Sequence, residues 1–524
     1  PVPVAFGFGG SKKMLYDVRQ RPQAIWFNDK VYIGFKGGGK LPNKNPRNVA
    51  PTYASLIRYD PETRTFSKPI TFGRQTSDHH DCPVLWIDKD DHMHFVYRCH
   101  NEPGIHLVAK QPGGMGINES DWEALPDIAP MVSYPTMFGL TGGRQLIYYR
   151  TGGHSSSWSY KITADNGRTW TGPENDVTNL DIYNHPEWSS YQAKILSPDK
   201  KTLYVVFTDY DDVKSNDPKR LYNPKYDQPV SNEWKYNLSL LKINVDTHEV
   251  QNDAGEVMKT PLDIETVRAK CRIWDTEWRG AGVPPALCLD DNGEPSALHL
   301  LSEDDLETHS YYCVRKVDGE WVKTRITASN HQWNSGYLRR DRKGRIHAYV
   351  IVGDRYQDKE GVNYTHGGGR IEHWGSRDKG STWERIRDIT PDAEQYPGWA
   401  FNNVQPVVRP DGSTVDGLLI FYGWLDGTKP DAVAFLLDRS ESSGLAAALW
   451  AGRLLLPLGL VGLILARRRA GWVLAAGALS GLLAALLTYA QADTRRLTVV
   501  SLLVGLALFV DLLRQGPARR RIMG

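Results

Sequence analysis

The chain has 524 residues, with 63 basic and 61 acidic side chains and a formal net charge of +2. That length exceeds one ordinary domain, and so even a charge balance excludes the broad positive field that gathers nucleic acid. Seventeen Trp, 25 Tyr, 48 Gly and 31 Pro point to many short strands joined by turns, and five irregularly spaced cysteines exclude a dense disulfide framework.

Along the first 438 residues one pattern recurs: an apolar run, a turn holding Asp, Asn or Gly, then a second alternating run. It appears at 25–35 around Asn28 and Asp29, at 84–97 around Asp88, and at Gly142 and Gly143 before Leu146 to Tyr149. Further copies centre on Asp199, Asp290, Asp341 and Asp411. Period-two alternation of this kind reads as half-buried β-strands. About seven such hairpins, spaced by roughly 50–70 residues with one longer gap before Asp290, predict an all-β, seven-bladed β-propeller over residues 1–438. Two segments, Thr163 to Trp170 and Ser376 to Trp383, fit S/T-x-D-x-G-x-T-W, the Asp-box or BNR motif. Asp165 and Asp378 are therefore read as folding residues. A six-bladed propeller of the sialidase type is the alternative architecture.

From Gly444 the composition turns to Leu, Ala, Gly and Val. Stretches at 444–466, 471–490 and 497–513 approach the ~20 residues that cross a bilayer as helix, so residues 439–524 are expected to form a transmembrane helical tail of three spans. Arg467 to Arg469 and Arg519 to Arg521 flank the first and third stretches. By the positive-inside tendency they face the cytoplasm, which places residues 1–440 outside it, in the periplasm or at the cell surface, with the membrane as a partner.

A propeller gathers the ends of its hairpins around one mouth, and polar residues sit at several such ends. Asp78, His79 and His80 precede one hairpin, and His100 and Asn101 follow it. Tyr134 opens the next hairpin and Arg150 closes it, a charge at the end of an apolar strand; Tyr191 opens the one after. Paired imidazoles suit proton transfer near neutral pH, and a buried Arg suits a carboxylate.

The pattern D-x-H-x-x-P at Asp78 to Pro83, the second histidine His100, and Ser133-Tyr134-Pro135 followed by Arg150 resembles the propeller-type ulvan lyases, within a larger group of BNR-repeat-containing polysaccharide lyases. The segments beginning at Cys271, Gly282 and His331 look like later blades of that group. The resemblance covers about residues 20–435 and excludes the tail. It implies that His80 and His100 are active-site histidines, Tyr134 the catalytic tyrosine, Arg150 the carboxylate-neutralising arginine and Tyr191 a substrate contact, with His79 and Asn101 beside them. His79 stands where the group usually has an acidic residue. The implied reaction is β-elimination in an anionic, uronic-acid-containing polysaccharide, with base and acid interchangeable between His80 and Tyr134 and no cofactor required.

Cys271, Cys288, His331 and His309, or Cys313 in place of His309, supply ligand types for a structural zinc. The resemblance also allows a structural metal away from the active site, zinc or calcium. The competing functions are a membrane-tethered, non-catalytic carbohydrate-binding propeller, a sialidase-like glycoside hydrolase and a protein-interaction propeller.

Overall fold

In a computed structural model the chain divides into two units, residues 1–438 and 439–524. The structure describes residues 4–8, 14–38, 51–181, 187–213, 222–229, 233–290, 292–329, 331–353, 367–425 and 432–438. The transmembrane tail expected at 444–466, 471–490 and 497–513 lies outside these residues, and that part of the fold expectation is corrected. Among the described residues there is one α-helix, the seven-residue Ile264–Lys270, and no helix is long and apolar enough to cross a membrane. Apolar length alone carried the expectation, and no described helix supplies it. The described chain is all-β.

Its strands form seven antiparallel meanders taken in chain order. The first contains Ala24–Phe27, Lys30–Gly37 and Thr52–Asp60. The second starts at Val84–Ile87, the third at Ser133–Gly139 and the fourth at Trp188–Leu196. The fifth and sixth start at Ala286–Leu289 and Tyr337–Arg340. The seventh runs through Trp399–Val408, Thr414–Leu425 and Ala432–Asp438, and its outermost strand is Val4–Phe8 from the other end of this unit.

Turn chemistry accounts for the hairpins. Asn28 and Asp29 both lie in the left-handed region (φ 49° and 57°), as a two-residue turn matched to strand twist requires. Asp88, Asp290 and Asp341 organise equivalent turns: each Oδ1 accepts the N–H groups two and four residues on, at 2.8–3.0 Å. The two Asp-boxes are near copies. Asp165 accepts from Thr169 N and Oγ1 at 2.9 and 2.7 Å, and Asp378 from Thr382 N and Oγ1 at 2.8 and 2.6 Å. In each, the Trp indole donates to the glycine carbonyl of the turn at 3.2 Å.

Seven apolar clusters are each shared between consecutive sheets, and together they close a ring. Ile25 and Leu56 pack with Leu85 and Phe95, Val96 with Ile147, and Tyr148 with Val205. Val206 packs with Leu287, Leu298 with Ala348, and Tyr349 with Phe421. Ile33 and Tyr59 meet Ile420 and Leu436, joining the first sheet to the last. Each sheet is thus covered on both faces, so Val84–Ile87, Met93–Tyr97 and Ile346–Val352 are buried at every position rather than at alternate ones. The long gap before Asp290 is an elaboration of the fourth sheet, whose outer edge carries the helix Ile264–Lys270, capped by Asp263, and the short strands Arg272–Trp274 and Gly280–Ala281.

Candidate active site

The candidate residues converge where the innermost strands of the second, third and fourth sheets begin. His79 and His80 precede Val84–Ile87, and His100 follows Met93–Tyr97, so one hairpin returns both to the same end. Ser133 lies opposite Arg150 and Thr136 opposite Tyr148, which leaves a bulge containing Tyr134. Tyr134 takes φ 55°, a left-handed conformation that costs a bulky side chain about 1–2 kcal/mol. Bulges of this kind re-aim side chains, and here the result is a fully buried phenol pointed at the histidines.

The rings of His80, His100 and Tyr134 lie 4.8–5.4 Å apart, and His79 sits against His80 at 3.6 Å. Each of the two inner imidazoles is held at Nδ1 by a carboxylate: His80 by Asp17 at 2.5 Å and His100 by Asp78 at 2.6 Å. Burial alone would raise the Asp78 carboxyl, but the bond and charge of His100, with the His80 N–H and Lys36, bring it below its usual value. As a carboxylate it accepts from His100 Nδ1, which leaves Nε2 turned to the Tyr134 hydroxyl at 3.4 Å. Burial, followed by the charge of Tyr191, raises the Tyr134 phenol well above its ordinary range, so it remains protonated at neutral pH.

Arg150 is wholly buried, with its guanidinium carbon 4.7 Å from the centre of the Tyr134 ring. Its Nε donates to the Gly152 carbonyl at 3.0 Å, while Nη1 and Nη2 have no hydrogen-bond partner among the described residues. Arg19 approaches both Tyr134 and Tyr191 at 5.0 Å and is paired with Asp17 at 2.8 Å. Tyr191 stacks on Tyr210 and lies under Lys235 at 5.1 Å. Burial would raise its hydroxyl, but Arg19, Lys235, His154 and Arg150 together bring it down to about 6. Asn101 is exposed at the rim, where its backbone N–H donates to Ser133 Oγ at 2.9 Å. The structure therefore brings His79, His80, His100, Tyr134, Arg150 and Tyr191 together and leaves Asn101 outside.

Sequence reasoning passed over Asp17, Arg19 and Lys235. Lys235 heads an apolar strand, Lys235–Asn244, and is buried. The signal that singled out Arg150, a charge at the end of such a strand, was available there too. Asp17 and Arg19 precede the first sheet and carry no such mark.

The expected metal set does not assemble. Among the described residues no group of three or more His, Cys, Asp or Glu could hold an ion. Cys271 lies in the core between the third and fourth sheets, and Cys288 and Cys313 lie in the core between the fifth and sixth. His309 packs against Trp234 with its ring centre 5.6 Å away, and His331 accepts from the Trp333 N–H at 3.1 Å. The cysteines are buried thiols in apolar surroundings, raised by that burial, to about 12 for Cys271.

The chain is similar to an ulvan lyase of Nonlabens ulvanivorans, 22% identical over 329 residues that make up 57% of this chain and 62% of the relative. An ulvan lyase of Alteromonas sp. (strain LOR) is 25% identical over 305 residues, 53% of this chain and 57% of that one. The chain thus spans about three fifths of the length of these curated relatives. Among solved structures, an ulvan lyase bound to -[GlcA(1-4)Rha3S]- superposes with a TM-score of 0.61 at 17% identity, covering 82% of this chain and 95% of the other. That likeness is one of fold. A family profile described as BNR repeat-containing family member matches residues 50–329, more than half of the sequence, and the chain belongs to that family.

Proposed function

We propose that the protein is a polysaccharide lyase that cleaves a uronic-acid-containing anionic polysaccharide of the ulvan kind by β-elimination. The observation that carries this reading is the grouping of two carboxylate-held imidazoles, a buried phenol and a buried arginine with two unpartnered Nη groups. The likeness to ulvan lyases supports the substrate class.

In this reading Arg150 receives the uronate carboxylate, with Arg19 adding positive charge beside it. Neutralising that carboxylate lets negative charge build on it as the C5–H bond breaks, which is electrostatic stabilisation of the transition state. His80, oriented by Asp17, takes the C5 proton through Nε2. The C4–O4 bond then breaks, the electron pair from C5 forms the C4=C5 double bond, and Tyr134 protonates the departing O4. His80 then releases the C5 proton to solvent, and His100, its Nδ1–H held by Asp78, takes a proton from solvent at Nε2 and returns it to Tyr134. The lowered hydroxyl of Tyr191 supports a second assignment of the base, with Tyr191 as phenolate in place of His80.

The test is to mix the protein with ulvan and a panel of other uronate polymers and to follow the ultraviolet absorbance of unsaturated uronate. A rise that disappears in Arg150→Met and His80→Gln is the expected result. New reducing ends without that absorbance would replace elimination with hydrolysis, and silence in both assays would replace the enzyme with a binding propeller.

A further inference from the structure

The innermost strands run from the candidate active site to a second cavity where they end. This cavity, about 540 Å³, is lined at its charged positions by Arg21, Lys194, Lys200, Arg339, Arg340 and Asp411. Five cations thus face one carboxylate. Asp416 pairs with Arg339 at 2.7 Å, and Asp411 lies within the field of Lys200. Arg21 and Lys194 are different: neither forms an ion pair with a carboxylate among the described residues. Lys194 donates to the Gln192 carbonyl at 3.1 Å and lies over the Trp158 ring at 4.9 Å. Both residues also line a narrow cavity of about 30 Å³ that reaches inward to Arg19.

Two neighbouring, partly buried cations without a counter-charge repel each other, so an anion that bridges them is favoured. Burial, and then the charge of Arg21, bring the Lys194 ammonium down to about 7. No carboxylate enters the balance for either residue. The wider cavity has room for a tetrahedral ion, and its remaining cations add to the attraction.

We propose that this cavity binds a sulfate- or phosphate-class oxyanion between Arg21 and Lys194. The site is separate from the candidate active site and does not depend on the proposed reaction. The experiment is a thermal melt of the full chain in millimolar sodium sulfate, sodium phosphate or sodium chloride at equal ionic strength, with calorimetric titration of sulfate alongside. Wild type should melt at rising temperature with sulfate or phosphate and then saturate, with chloride giving a smaller shift; the two oxyanion arms distinguish which ion is preferred. Lys194→Met should lose that specific response and melt higher than wild type without added anion; Arg21→Met is the second variant. Equal shifts from all three salts, or an unchanged sulfate response in both variants, would overturn the proposal in favour of solvated channel cations.

Discussion

Arg150→Met separates a functional arginine from a structural one, because the two roles move activity and stability in opposite directions. The substitution keeps the length of the side chain and removes the charge. In the free protein it deletes one bond from Nε to the Gly152 carbonyl and one contact over the Tyr134 ring. Together these contribute about 2–5 kcal/mol. It also removes a wholly buried cation whose Nη1 and Nη2 have no partner among the described residues, and burying such a charge costs several kcal/mol. The midpoint of thermal unfolding should therefore stay the same or rise. With substrate present, two charge-assisted bonds at ~1.5–3 kcal/mol each are lost, about 3–6 kcal/mol in all. At ~1.4 kcal/mol per decade that is a hundredfold to ten-thousandfold fall in kcat/KM. The assay is initial-rate formation of unsaturated uronate beside a melt of the same preparation. A kcat/KM within tenfold of wild type would refute the reasoning, as would a melting point lowered by several degrees, which would mean that Arg150 is a structural strut.

Three further outcomes are expected. Tyr134→Phe should remove the proton donor while leaving the bulge and its packing in place, so activity should fall at least a hundredfold with far-ultraviolet circular dichroism unchanged; retained activity would assign the acid elsewhere. His299 is fully buried and is brought down to about 3 by burial and then by Arg279. Its folded pKa lies below the unfolded value of ~6.5, so the unfolded chain binds more protons between the two and stability is lost as the pH is lowered through that window, by about 2 kcal/mol from pH ~6.5 to ~5. His299→Leu should flatten that part of a denaturation-against-pH curve, and an unchanged slope would contradict the assignment. Asp165→Ala removes the acceptor of Thr169 N and Oγ1 and should lower stability by about 1–2 kcal/mol without changing kcat; an equal loss in kcat measured on folded protein would give the Asp-box a catalytic part.

The hairpins were legible because their turns depend on local chemistry: Asn28-Asp29 needs left-handed backbone, and Asp88, Asp290 and Asp341 each accept two nearby N–H groups. Burial on both faces was not legible, since alternation reports one covered face and the second cover comes from a neighbouring sheet. At the site, His80, His100, Tyr134 and Arg150 stood out because each lies at the end of a hairpin. Asp17 and Arg19 did not, because only the closed ring brings their segment to the histidines. The cysteines misled for a related reason: ligand type can be read from sequence, but Cys271 and Cys288 belong to cores separated by both the fourth and the fifth sheets.

The pairing of Val4–Phe8 with Ala432–Asp438 also governs how the molecule can be made. Six sheets are built from strands that follow one another, and each can pair soon after it is synthesised. The seventh cannot be completed until strands from both ends of this unit are present together. Of this pair, Val4–Phe8 is made long before Ala432–Asp438 and must wait for it, and until it arrives the apolar faces of the first and seventh sheets, Ile33, Tyr59, Ile420 and Leu436 among them, have no cover. The unit is thus a poor subject for trimming from either side, and a permuted chain that joins Val4–Phe8 directly behind Asp438 would turn its slowest assembly step into a local one.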